Sequence, residues 1–235
     1  MGLAAAADEY EQAPHGASTL GDPEVGDHRS ERPSQYLGRR SGSWHTRDVS
    51  APTEVPSVVA RAHSLSHRQG FLRSSRNETG RLLATLAASR AGTLAEVGTG
   101  CGVGAAWLLS GKREDALVVT AEVDPDLAGQ VQALFEDEAG VEVVAGDWTA
   151  LAAHAPFSLL FVDAGDAKQS VDAIADLIEP GGMIVLDDFT PCSTWPPVYE
   201  GRVDSLREQW LTDDRFTAVE VMVTDDSSVV LATRR

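Results

Sequence analysis

The residues most suited to cradling a ligand form one run, Glu96-Val97-Gly98-Thr99-Gly100-Cys101-Gly102-Val103-Gly104, with the pattern acid-x-G-x-G-x-G. Glycine lacks a Cβ, so the backbone there can turn tightly and approach a bound molecule. A strand-like run precedes the loop and a helix-like run follows it, and in open α/β sheets ligands bind beyond the carboxyl ends of the strands. The spacing excludes the dinucleotide fingerprint G-x-G-x-x-G. Begun at Gly98, Gly100 or Gly102, that fingerprint needs a glycine where the chain has Val103, Ala105 or Trp107. Other reactive residue types are less promising. Cys101 and Cys192 have no base partner evident in sequence, so a nucleophilic role is unsupported. His63, His67 and His154 form no metal-ligand spacing with acids. His63 and His67, four apart, share a helix face; a structural role is expected, with base duty in a metal-free enzyme as the alternative.

The elements that must position this loop alternate. Strand patterns fall at 93–97, 116–122, 141–145, 157–163, 182–187, 216–223 and 228–233, and helical patterns at 102–110, 125–139, 149–153, 168–178 and 199–211. Leu117-Val118-Val119 and Leu159-Leu160-Phe161-Val162 are apolar on both faces, as expected of strands covered by helices on both sides. Repeated βα units imply right-handed crossovers. Only Thr224-Asp225-Asp226-Ser227 separates the last two strands, which reads as a hairpin. The expected fold is therefore α/β: a doubly wound, Rossmann-like, mostly parallel seven-stranded sheet with an antiparallel edge hairpin, spanning 92–235.

Upstream, 53–91 reads as a helical cap. Thr53 is a candidate N-cap; Val58, Val59, Ala62 and Leu65 fall at helical spacing, and a second helix over 79–90 places Leu82, Leu83, Leu86 and Ala87 on one face. Between them His63, His67, Arg68, Arg73, Arg76 and Arg81 make a locally basic stretch, either a solvated face or a cap over an anionic ligand. Residues 1–52 carry four prolines and no apolar periodicity and are expected to be a disordered tail.

The net charge of -17 over 235 residues argues against a nucleic-acid surface, which needs a concentrated basic face. No apolar run approaches the roughly 20 residues that span a bilayer, so no membrane partner is expected. Two cysteines and a start without a basic, then apolar, leader suggest a reducing, cytoplasmic setting.

Taken with its neighbours, the glycine loop resembles the first motif of the class I S-adenosylmethionine-dependent methyltransferases. The resemblance runs in order over about 93–235, and the cap matches in outline only. It implies cofactor contacts from Glu96, Gly98, Thr99, Gly100, Gly102 and Gly104. In Thr120-Ala121-Glu122-Val123-Asp124-Pro125, Glu122 and Val123 stand where the family binds the cofactor ribose. A carboxylate can accept two hydrogen bonds from a cis-diol, and Asp124 with Pro125 already supplies the helix cap. Gly146, Asp147 and Trp148 stand where the family flanks the adenine; Asp147 could instead be an N-cap and Trp148 a core residue.

Phe161-Val162-Asp163-Ala164-Gly165-Asp166-Ala167-Lys168 and Gly181-Gly182-Met183-Ile184-Val185-Leu186-Asp187-Asp188-Phe189 look like the metal-dependent O-methyltransferases of the catechol and caffeoyl-coenzyme A type. That resemblance implies one divalent ion, Mg²⁺ or another, on Asp163, Asp187 and Asp188. All-oxygen ligation suits such ions, and three converging carboxylates would repel one another without a counter-cation. There are two departures. The family's Asp-Asn pair is Asp-Asp here, and its lysine, normally three residues after the first aspartate, is matched by Lys168, five residues on. A metal-free site, with Asp163 on the methionine amino group, is the alternative. Lys168 is a candidate base or orienting cation, beside Asp163 in the catalytic set. Trp195 and Tyr199, in the proline-rich segment after the fifth strand, are candidate substrate contacts or packing for their own loop.

The implied function is transfer of a methyl group from S-adenosylmethionine to a small hydroxylated, phenolic acceptor, assisted by a divalent metal. Metal-independent N- or O-methylation, or a non-catalytic nucleotide-binding module, are the competing readings. The resemblance also admits a homodimer through the cap or the edge hairpin.

Overall fold

The computed structural model describes residues 52–71 and 74–235; Arg73 and all of the expected tail but its last residue lie outside them. Two helices, α1 (Ser57–Gln69) and α2 (Asn77–Ala88), precede the first strand. Then follow β1 (Thr93–Val97), α3 (Val103–Gly111), β2 (Leu117–Glu122), α4 (Pro125–Leu134), β3 (Val141–Ala145), a 3-10 turn over Trp148–His154, β4 (Phe157–Val162), α5 (Gly165–Lys168), α6 (Val171–Leu177) and β5 (Ile178–Phe189). The chain ends with β6 (Val198–Tyr199), β7 (Arg202–Val203), α7 (Ser205–Thr212), β8 (Phe216–Met222) and β9 (Ser228–Arg234).

Seven strands form one sheet in the order β3-β2-β1-β4-β5-β9-β8. The first five are parallel, and β9 runs antiparallel between β5 and β8. This is the expected sheet, including its edge hairpin. The order reverses at β1, so β1 and β4 open a crevice between their carboxyl ends, where such sheets bind ligands. Alternation along the strands divides the core in two. Leu94, Leu159 and Phe161 pack toward α1, α2 and α3, while Ala95, Leu160 and Val162 pack toward α6 and α7. β4 is buried at all six positions, as its doubly apolar sequence requires.

Several boundaries depart from the sequence expectation. The helix expected at 199–211 begins only at Ser205. Glu200 and Gly201 both adopt positive φ, 49° and 75°, and fold Val198–Tyr199 back onto Arg202–Val203 as a small hairpin. Asp204 then caps α7 by accepting from Arg207 N at 3.1 Å. The helix expected at 168–178 is two pieces, α5 and α6. The helix expected to reach residue 139 stops at Leu134, with Phe135 packing back into the core. Thr53 does not cap α1, which starts after Pro56.

The strand expected at 182–187 is longer and carries an irregularity that matters for the site. Against β9, Leu186 pairs with Val230 but Phe189 pairs with Ser228, so β5 has one extra residue there. Such a bulge breaks strict side-chain alternation and re-aims the side chains at the bulge. The residues at that place are Asp187 and Asp188, and Asp188 takes the left-handed backbone, φ 63°.

Candidate active site

The glycine loop crosses from β1 to α3 with Gly98, Gly100 and Gly102 all at positive φ. Gly104 is needed for space: a Cβ there would lie 2.0 Å from Glu96 Oε1 and 2.8 Å from Phe161. Glu96 is therefore wedged under the first turn of α3. It accepts from Thr120 Oγ1 at 2.7 Å, and burial pushes its carboxyl well above the usual range. Thr99 is buried too and hydrogen-bonds Thr120. Thus the side chains of Glu96 and Thr99 share Thr120 as a hydrogen-bond partner at the base of the loop.

Glu122, at the end of β2, is nearly buried and grips that backbone. Its Oε2 accepts from Gly100 N at 2.8 Å and its Oε1 from Asp124 N at 3.0 Å. Asp124 itself caps α4 by accepting from Asp126 N and Leu127 N. Each Glu122 oxygen keeps one lone pair for something in the cavity.

Two joined spaces lie here. One, about 440 Å³, runs from Glu122 and Gly98 along the loop to Asp163, Lys168 and Asp188. The other, about 170 Å³, lies between Glu122, Val123, Gly146, Asp147 and Trp148. Every residue named for the cofactor from the resemblance borders one of them except Gly102, which packs against Val131 and Phe135 instead. Asp147 does act as an N-cap: Thr149 N and Oγ1 donate to it at 3.0 and 2.6 Å, and these bonds hold its carboxyl below the usual range.

Asp163, Asp187 and Asp188 converge, each offering an oxygen within 4.8 Å of the others. Oxygens ligating one hard cation at about 2.0–2.6 Å can be no more than ~5 Å apart, so the donor set fits Mg²⁺, Mn²⁺ or Ca²⁺. Burial, then the charges of Asp187 and Asp188, push Asp163 up to about 7. Asp187 is also raised, chiefly by burial. Lys168 is buried beside them; its Nζ donates to the Asp187 main-chain oxygen at 2.8 Å and lies 3.9 Å from Asp188 Oδ2. The one-turn helix α5 delivers it there despite the longer spacing from Asp163, and Trp210 Nε1 anchors it by donating to the Lys168 carbonyl at 2.8 Å.

The cap contributes residues that sequence reasoning missed. Phe71, Ser74 and Ser75 border the cofactor-side cavity and also a second one of about 450 Å³, which His63, His67 and Asn77 line. His63 hydrogen-bonds Asn77 at 3.0 Å. The rest of the basic stretch disperses: Arg76 pairs with Asp226, Arg81 donates to the carbonyls of Pro52 and Glu54, and Arg68 borders a groove between α1 and α4. That groove, about 770 Å³, is larger than the site but lies away from the strand ends. Trp195 and Tyr199 are 63% and 51% exposed and border neither cavity of the site. Only tertiary proximity, which no local motif encodes, marks Phe71, Ser74 and Ser75.

Residues 95–189 match the family described as Methyltransferase domain. A protein of Mycolicibacterium vanbaalenii, described by inference as an O-methyltransferase, is 37% identical over 115 residues, 45% of this chain and 50% of its own length. Another, from Mycobacterium avium, is 29% identical over 160 residues, 58% of this chain and 71% of its own. The chain thus spans about half the length of most curated relatives it matches. Among solved structures, the O-methyltransferase from Bacillus cereus in complex with S-adenosylhomocysteine superposes with a TM-score of 0.62 at 19% identity, covering 77% of this chain and 93% of that one. TomG from Streptomyces achromogenes, an O-methyltransferase involved in tomaymycin synthesis and bound to S-adenosylmethionine, gives 0.63 at 21% identity, covering 77% and 92%. At such identities the likeness speaks for the fold. Over residues 95–189 the chain is thus similar to methyltransferase domains, and its architecture is the one that solved O-methyltransferases share.

Proposed function

We propose that this chain methylates an oxygen of a small hydroxylated, phenolic molecule with the help of a divalent cation. The observation that carries the reading is the meeting of three carboxylates and one lysine at the end of the cavity that the glycine loop borders. S-adenosylmethionine supplies an electrophilic methyl group, so the protein's tasks are to position the partners and manage one proton. Glu122 holds the ribose through its two remaining lone pairs, and the loop amides and Ser75 border the methionine end. Asp163, Asp187 and Asp188 would hold the cation, which would lower the pKa of an acceptor hydroxyl from near 10 toward neutrality. Lys168, fixed by its bond to the Asp187 carbonyl and by Trp210, keeps N–H donors for orienting the acceptor oxygen. Asp188 is mostly exposed and offers the proton a route to water.

Titration calorimetry with S-adenosylhomocysteine, then methyl transfer to catechols in Mg²⁺ and in EDTA, tests the reading. Micromolar binding of the product and activity abolished by EDTA are expected. Undiminished activity in EDTA would overturn the cation's role, and absence of S-adenosylhomocysteine binding would overturn the cofactor site.

A pH dependence follows from Asp163. A carboxyl raised to about 7 holds its proton more tightly folded than unfolded, so the apo protein loses stability as pH rises from about 4 through 7. A cation needs the ionised form and must displace that proton below pH 7. Cation affinity should therefore be about tenfold weaker at pH 6 than at pH 8. Melting temperatures with Mg²⁺ and with EDTA should separate more at pH 8; equal separations at both values would contradict this.

A further inference from the structure

α2 cannot slide along or roll on α3. A Cβ on Gly80 would lie 2.1 Å from Trp107 Nε1, and one on Gly111 would lie 2.1 Å from the Ala84 carbonyl oxygen. Each helix thus buries a glycine against the other, one near each end of the contact. Since α3 begins at the glycine loop, α2 stands at a fixed height over the cofactor-side cavity. Thr79, the residue before Gly80, is fully buried.

Where a helical threonine hydroxyl has no other partner, it bonds the carbonyl four residues back. Thr85, in the same helix, does this with Arg81, and Thr212 in α7 does it with Glu208. Thr79 does not. Its Oγ1 reaches across to the end of β5 and donates to Asp187 Oδ1 at 3.3 Å. Among the described residues it is the only side chain that donates to this carboxylate, because Lys168 takes the main-chain oxygen instead. Asp187 sits in the bulge, where strand alternation no longer dictates its direction.

We propose that Thr79 is a positioning residue: its hydroxyl fixes the orientation of the Asp187 carboxylate toward Asp163 and Asp188, so that the cap helix sets the cation affinity of the site. The inference rests on the reading of the three aspartates as a cation site. Hydrogen-bond partners of metal ligands act in this way, and their loss typically lowers metal affinity about 10–100-fold.

The test is calorimetric titration of Mn²⁺ alone, and separately of S-adenosylhomocysteine, into the wild type, Thr79→Val, Thr79→Ser and Thr79→Ala. Valine keeps the shape and removes the donor. It should weaken Mn²⁺ binding by about tenfold or more and leave S-adenosylhomocysteine affinity unchanged. Serine should restore Mn²⁺ binding. Alanine, which removes the donor without any new contact, should match valine and guards against a valine variant that folds poorly. Wild-type Mn²⁺ affinity in both valine and alanine variants would overturn the proposal. So would a parallel loss of S-adenosylhomocysteine affinity, which would mean that the cap had merely loosened. A wild type that binds S-adenosylhomocysteine but no Mn²⁺ would overturn the cation reading and this inference together, and would leave the cofactor site standing.

Discussion

Glu122→Ala should weaken S-adenosylhomocysteine binding by about 100-fold or more. The carboxylate has two duties in the proposed site. It holds the glycine loop through Gly100 N and the start of α4 through Asp124 N. Its free lone pairs then face the ribose. Hydrogen bonds to a charged acceptor contribute about 1.5–3 kcal/mol each, so losing two from the ligand alone accounts for a factor of that size. Glu122→Gln should be nearly as damaging, which is the sharper form of the prediction. Glutamine offers one acceptor oxygen where the backbone presents two donors, so its amide nitrogen must face an N–H. Calorimetry on both variants decides the matter. A glutamine variant that binds like the wild type would show that the carboxylate is not held between these two amides and the ligand.

The largest expected loss of stability is at Arg207, on the opposite side of the same sheet end. Its side chain is almost wholly buried. It makes 3.0 and 3.2 Å contacts to the two oxygens of Glu220, a 3.1 Å contact to Asp204 Oδ2, and stacks 5.1 Å from the centre of the Phe189 ring. Removing one partner of a buried ion pair leaves uncompensated charge and costs about 3–5 kcal/mol. Arg207→Ala strands two carboxylates, although Glu220 keeps a bond from Ser228 Oγ at 2.6 Å. A fall in melting temperature of roughly 10 °C or more is expected for a domain of this size. Arg207→Lys keeps the charge but lacks the planar fork, so it should fall between alanine and the wild type. An alanine variant that melts within about 3 °C of the wild type would show that water screens the pair.

Much of the fold could be read from residue order. β1 and β3 begin and end where the apolar runs 93–97 and 141–145 do, because glycines close to those runs leave little choice. The glycine loop, Glu122 and Asp163 come to one place because parallel strands put all their carboxyl ends on one edge. What could not be read was set by tertiary contact or by a single local irregularity. Two adjacent residues of a regular strand point to opposite faces, so Asp187-Asp188 taken as plain strand would separate its carboxylates; the extra residue in β5 lets them meet. The turn at Glu200-Gly201 overrode a helical pattern of side chains. Trp195 and Tyr199 have the residue type and the nearness in sequence to the strand end that suggest a substrate contact, but neither property places a side chain in the site. Thr79 and Ser75 carry no motif, since their partners are distant in the chain.

The left-handed conformation of Asp188 has an evolutionary consequence. Aspartate and asparagine are the side chains that tolerate this backbone best after glycine. An exchange between them at position 188 would change the charge of the cluster by one while leaving the main chain where it is. Charge and shape at this position are thus separable variables. A lineage could move between an Asp-Asp and an Asp-Asn version in one mutational step, retuning the charge of the cluster without first rebuilding the strand that presents it.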